Sequence, residues 1–297
     1  MASVVVLCTA LFLTGCTPDS LPPPADTTMP ASAGSSATSA VTAAPLESAQ
    51  SSAKLPVYWL GHSGNGVFLY REFLAVEGNG DPIQAALLAM TTDKPLDSDY
   101  FTPWKKPSKL GVSISAKNVI TVDISADAFS TNVDEGIAQR ALAQLVYTAT
   151  AAAANAGLIV ANQPVQVSLL VDGHTDYLAF DKVKLDKPLV RDSGFVAPVW
   201  IIDPQEGSTV KSPVLVTGQG ISGTGELAWQ LIKRGSDGRE SPYQSGTVAV
   251  STGPAQLGDF SFSLQPPAGS YELRVFRAVP TDPAAQDGID SKTITVS

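Results

Sequence analysis

Three groups of residues in this 297-residue chain have types that could do chemistry at their spacing. Gly61-His62-Ser63-Gly64-Asn65 approximates the G-x-S-x-G turn that presents a nucleophilic serine, with Asn65 in place of the last glycine. That motif works on a strand-to-helix elbow with a histidine supplied from elsewhere, and His174 is the only other histidine. Apolar runs that read as strands flank it on both sides, so Ser63 and His174 are expected to be turn residues. Gly218-Gln-Gly220-Ile-Ser-Gly223 matches the dinucleotide fingerprint letter for letter, yet that fingerprint needs a following helix to hold the pyrophosphate. Thr224-Gly225 and a tryptophan-bearing strand follow instead, and a β-turn is expected. Asp282, Asp287 and Asp290 could gather around a hard cation, which takes several carboxylate and carbonyl oxygens. Their spacing is not that of an EF-hand, and a solvated acidic turn is the plainer expectation. With two histidines and no cysteine after position 16, zinc has no ligand set. No catalytic, cofactor-binding or metal-ligating residue is therefore expected.

Cysteine chemistry is confined to the start, at Cys8 and Cys16, so no disulfide can staple the rest of the chain. Residues 2–13 are almost wholly apolar, too short to span a bilayer in a helix but suited to a signal-peptide core. The ending Leu13-Thr14-Gly15-Cys16 resembles the bacterial lipobox. That resemblance implies a signal peptide over 1–15, cleavage before Cys16, and lipidation of the Cys16 thiol. The segment before the apolar run carries no Lys or Arg, a departure from usual signal peptides. Residues 16–54, rich in Pro, Ser, Ala and Thr, cannot bury enough apolar surface to order themselves and read as a tether. A random coil of that length reaches roughly 30–40 Å. The expectation is an extracytoplasmic protein, lipid-anchored to the bacterial cell membrane.

The formal charge of −9, with a pI near 4.7, argues against a nucleic-acid partner, which would favour clustered basic residues. The length accommodates about two domains.

Over 55–190, alternating and helical periods mix. Residues 55–60 and 67–71 read as strands around a Gly-rich turn. Asp81-Pro82-Ile83-Gln84 is a helix start, with Asp81 capping, Pro82 in the first turn and Gln84 spaced to close a capping box. A long loop through Tyr100, Phe101 and Trp104 is expected to pack over a sheet edge. Val112-Ser-Ile114 and Ile120-Thr-Val122-Asp-Ile124 alternate about an Asn118 turn and predict a hairpin. A long alanine-rich helix over 134–156 follows. Its expected start pairs Asn132 with Glu135, Gly157 ends it, and Ile137, Ala141, Leu145, Thr148 and Ala152 form a core stripe. Residues 165–171 close the unit as a strand.

Residues 197–297 change regime to short alternating strands with close turn signals. Leu227/Trp229/Leu231, Phe260/Phe262/Leu264 and Tyr271/Leu273/Val275 each mark one inward face. About seven strands without helical periodicity predict an immunoglobulin-like sandwich.

The first unit resembles the GerMN domain of sporulation and envelope lipoproteins. The resemblance rests on the Val-Tyr-Trp strand, Pro82-Ile-Gln-Ala-Ala-Leu-Leu88, Val122-Asp-Ile124-Ser and Gln144-Leu-Val-Tyr-Thr148, with a Val-rich strand running into Asp172-Gly173. Where that family has Leu-Leu-x-Gly-Pro, this chain has Leu87-Leu88-Ala89-Met90-Thr91. Ile202-Asp-Pro204-Gln-Glu-Gly207 through Gly218, with Gly258-Asp-Phe260-Ser-Phe262 and Gly269-Ser-Tyr271, resembles the Gmad2 immunoglobulin-like module. Together these imply an α+β first domain of βαββαβ type, akin to ring-building domains, followed by an all-β sandwich. They also imply a non-catalytic binding or assembly role toward an envelope protein, a sensor ectodomain or a cell-wall polymer. Self-association, through exposed sheet edges of the first domain, is a further expectation. The alternatives are a cell-wall hydrolase, which would need an acid pair or a Ser/His pair, and a small-ligand carrier, which would need a deep pocket.

Overall fold

The structure, a computed structural model, describes residues 54–75, 80–160, 162–279 and 282–297, with the backbone alone for 282–284. Cys16, the signal-peptide segment and all of the tether except Lys54 lie outside the described residues. Lys54 itself is the first residue of a strand.

The first domain opens with β1 (Lys54–Ser63) and β2 (Gly66–Ala75), an antiparallel hairpin that turns at Gly64-Asn65. Gly64 takes φ +56°, a left-handed conformation that glycine adopts without a Cβ clash. Helix α1 (Pro82–Thr92) starts where the sequence predicts, with Asp81 accepting from the N–H groups of Ile83 and Gln84. The expected capping box does not close. The Gln84 amide donates instead to the carbonyl of Leu110, 2.8 Å away, and ties the helix to the next sheet.

The aromatic loop forms the two-residue strand β3 (Tyr100–Phe101), which pairs with β1 at Leu60 and Gly61. Trp104 then buries against Phe129 and Phe180. The predicted hairpin is β4 (Leu110–Ile114) and β5 (Val119–Ile124). Asn118 at its turn is fully buried with φ +55°. Its side chain accepts from Val160 N–H and donates to the carbonyls of Val160 and Gln163.

Helix α2 (Glu135–Asn155) is capped by Asp134, whose carboxylate accepts from Ile137 N–H, and not by Asn132 as the sequence suggested. Gly157 ends it with φ +68°, as expected. The expected narrow stripe is too modest, because from Ala141 to Ala154 every residue of α2 is buried. An alanine-rich helix can do this, since small side chains let backbones approach on all sides. The strand β6 (Gln166–Val171) then returns parallel to β5, giving the order β4-β5-β6. The series β2, α1, β4, β5, α2, β6 is the βαββαβ pattern, with β1 paired at its head. A small hairpin of β7 (Tyr177–Ala179) and β8 (Val183–Leu185) follows.

The second domain is a sandwich of two sheets. One is β14-β11-β9, from β9 (Val199–Asp203), β11 (Val214–Ile221) and β14 (Leu257–Leu264). The other runs β10-β16-β15-β12-β13, from β10 (Thr209–Val210), β12 (Glu226–Arg234), β13 (Glu240–Ala249), β15 (Gly269–Val279) and β16 (Asp282–Val296). The three inward faces predicted from alternation line its core, with Leu227, Leu231, Leu273 and Val275 fully buried and Phe262 half-buried. The strands run longer than their apolar triplets.

Gly218 and Gly220 lie within β11, so the G-x-G-x-x-G segment is mainly strand, with only its last residues in the turn. A side chain at Gly218 would strike the Phe260 ring and the Trp200 carbonyl, which accounts for glycine there without any phosphate.

Candidate functional site at the domain joint

Among the described residues, the sequence candidates lie in separate places. Ser63 ends β1 in a strand-to-strand turn, and His174 sits in the turn after β6, where its backbone pairs with Val171. No hydrogen bond joins the two among the described residues. The His62 ring is exposed and stacks on Phe101 at 5.5 Å. Asp287 is exposed and pairs with Arg277 at 2.6 Å, whereas Asp290 is buried, so these two do not gather. Among the described residues no group of three metal-ligating side chains comes together.

Asp290 is the correction that matters. It is not in a solvated turn but in the middle of β16, whose alternate residues Asp290, Lys292, Ile294 and Val296 all face inward. Asp290 accepts from Ile201 N–H at 2.6 Å and from the Tyr100 hydroxyl at 2.7 Å. Lys292 Nζ donates to Asp97 Oδ2 at 2.7 Å, to the Tyr100 oxygen at 2.6 Å and to Asp290 Oδ1 at 3.3 Å. Tyr100 and Asp97 belong to the first domain and the other two to the second, so this cluster is the joint between them. Glu72 supports it from β2, accepting from the N–H groups of Leu96 and Asp97 at 2.8 and 2.9 Å. Asp97 and Asp290 are 6% and 5% exposed, and Lys292 is 3% exposed.

The electrostatics follow from that burial. Loss of water raises the Asp290 carboxyl above its ordinary range, although Lys292 and the Ile201 N–H oppose the shift. Glu72 is raised for the same first reason, against its two backbone donors. Burial, then the charges of Asp290 and Asp97, push the Tyr100 phenol well above its usual value. Burial alone would lower the Lys292 ammonium, but Asp290 and Asp97 outweigh it and hold it above its ordinary value.

Hydrogen bonds also close most edges of the first domain, contrary to the expectation of exposed ones. The outer edge of β2 is covered by Val196 and Ala197, with Ala197 N–H on the Leu69 carbonyl and Phe73 N–H on Gln205 Oε1. On β1, Tyr58 N–H donates to Thr148 Oγ1 and its carbonyl accepts from Gln144 Nε2, so two helix side chains take the place of a strand. Leu189 exchanges both backbone bonds with Val167 on β6. The edge of β4 is left, tied at Leu110. In the second domain β13 is the long edge, exposed from Glu240 to Ser245 and carrying Pro242.

Beside the joint is a cleft of about 740 Å³. Tyr58, Phe73 and Tyr147 line it from the first domain, and Trp200 and Phe260 from the second. Arg71 and Arg191 also border it. Arg191 is anchored to α2 through Thr150 Oγ1 at 2.7 Å and stacks over the Tyr147 ring at 4.5 Å. Among the described residues, the one carboxylate on the lining is Asp259, which accepts from Gln219 Nε2 at 2.7 Å. Such a surface offers aromatic faces and hydrogen-bonding side chains, which suits binding.

Residues 56–177 match the family model Germane, described as sporulation and spore germination. Residues 198–284 match Gmad2, the immunoglobulin-like domain of bacterial spore germination. Among solved structures, the first GerMN domain of the sporulation protein GerM from Bacillus subtilis is 15% identical. That alignment covers 47% of this chain and 95% of the other, with a TM-score of 0.34. The tandem GerMN domains of the same protein are 12% identical over 71% of this chain, with a TM-score of 0.37; this chain spans about 61% of their length. A comparison with curated proteins found no match. The chain carries a GerMN-type α+β domain followed by a Gmad2 immunoglobulin-like domain.

Proposed function

We propose that this protein is a non-catalytic binding or assembly module of the bacterial cell envelope, lipid-anchored through Cys16 and held outside the membrane by its tether. The observation that carries the reading is where the acids are. A wall glycosidase needs paired carboxyls open to a polymer, and the carboxyls gathered in the domain joint, Asp97 with Asp290 and Glu72 beside them, are buried. The cleft that a ligand could enter holds aromatics, amides, hydroxyls and the guanidiniums of Arg71 and Arg191, with the single carboxylate Asp259 among the described residues. Germination-type domains in this order favour an envelope or sporulation role. No helix among the described residues is long and apolar enough to cross a membrane.

Fractionation of cells expressing the full chain tests the anchor. Metabolic labelling with a lipid precursor is expected to mark the wild type and not Cys16→Ser, which should leave the membrane fraction. Release of soluble fragments from purified peptidoglycan by the full chain would overturn the non-catalytic reading.

A further inference from the structure

We propose that Lys292 and Asp97 form an intramolecular amide, a covalent bond between the two domains. The structure shows the precursor arrangement, with four parts in place. Lys292 Nζ is the nucleophile, 3% exposed and 2.7 Å from Asp97 Oδ2. Asp97 is the electrophile; its other oxygen, Oδ1, accepts the backbone N–H of Asp99 at 3.0 Å. That donor polarises the carbonyl and remains to stabilise the oxyanion of a tetrahedral intermediate. Asp290 is the proton carrier, with Oδ1 3.3 Å from Nζ. Tyr100 holds both partners, donating to Asp290 at 2.7 Å and accepting from Nζ at 2.6 Å, with the ammonium 4.4 Å from its ring centre.

The step is a condensation with no change of oxidation state. The ammonium passes one proton to Asp290, and the resulting amine attacks Cγ of Asp97. The Nζ–Cγ bond forms and the Cγ–Oδ2 bond breaks. Oδ2 departs as water carrying two of the three Nζ protons, one of them relayed by Asp290, which ends as it began. In solution, water and charge both oppose this reaction. In the joint, three carboxyl groups face one cation, and converting the ammonium and a carboxylate together into a neutral amide relieves desolvation. Fixed placement supplies the effective concentration, on the order of 10⁵ M or more for well-oriented groups. Glu72, bonded to the N–H groups of Leu96 and Asp97, holds the electrophile's loop still.

Peptide mapping of the purified full chain by mass spectrometry tests this. The expected result is a branched peptide, lighter by one water than its two parts, joining the segments that contain Asp97 and Lys292. Lys292→Arg and Asp97→Ala should each abolish it. Asp290→Asn should fold, by near-ultraviolet circular dichroism, yet give at least tenfold less branched product. Recovery of both segments as separate, full-mass peptides from folded wild-type protein would overturn the proposal. So would loss of water within the Asp97 segment alone, which would mark a succinimide. The wild-type map is decisive by itself, so the proposal stays testable even where a variant fails to fold.

Discussion

Lys292 Nζ lies 2.7 Å from Asp97 Oδ2, a contact between residues 195 positions apart that belong to different domains. Around it Asp290, Tyr100 and Glu72 contribute buried polar atoms, each with a partner. Two domains that meet through such a cluster cannot slide without exposing an uncompensated charge.

Lys292→Met removes the cation bonded to both Asp97 and Asp290 and leaves buried carboxyls facing one another. The expected loss is at least about 3–5 kcal/mol, the usual result of breaking a buried pair from one side, because the proposed cross-link is lost with it. Denaturant titration of the full chain reads it, and a second transition should appear as the domains uncouple.

The pH dependence has an unusual sign. Asp290 and Glu72 are raised in the folded state, so the stability linked to them is present below the ordinary carboxylate range and is lost as pH rises through their raised values. Glu272 behaves oppositely. Burial would raise it, but Arg274 and Arg234 win and lower it, so its contribution is lost as pH falls. Melting temperatures of wild type and Asp290→Asn from mildly acidic to neutral pH check this, with the downward slope toward neutrality expected to shrink in the variant.

Thr148→Val keeps shape in the buried centre of α2 but removes the hydroxyl that accepts from the Tyr58 N–H. A cost of about 1–3 kcal/mol is expected from loss of that buried bond. Thermal unfolding measures it, and Thr148→Ser should restore most of the loss.

Asn118 combines a left-handed backbone with three side-chain bonds to residues 160 and 163. Asn118→Gly keeps the turn and loses the bonds, at about 2–3 kcal/mol. Asn118→Ala should lose roughly a further 1–2 kcal/mol for the left-handed conformation. The order of the two melting temperatures is the test.

Local order was readable in the residues because local physics makes it. Asp81 ahead of Pro82, Gly157 after the alanine run, and the alternations around Asn118 and along Tyr271–Val275 each predict an element that is present. The joint was not read, because it pairs β16 with a loop almost two hundred residues earlier. A signal did exist. Carrying the inward register of Val296 and Ile294 back by twos places Lys292 and Asp290 on the buried face, where a charge must find a partner. The Asp-rich composition around them suggested solvent instead. The edges of the first domain were misjudged for a similar reason. Gln144 and Thr148 look like ordinary helix residues until their bonds to the Tyr58 backbone are seen.

The central claim is that the joined domains act by binding, from the outer face of the membrane, without catalysis. Photo-crosslinking in intact cells tests it most directly, with the reactive residue at Gln219 or Thr252 on the cleft. The account predicts a discrete adduct with an envelope component that is lost in Cys16→Ser and in a variant with the reactive residue moved away from the cleft. Absence of any cleft-dependent adduct, together with release of peptidoglycan fragments by the purified full chain, would contradict it.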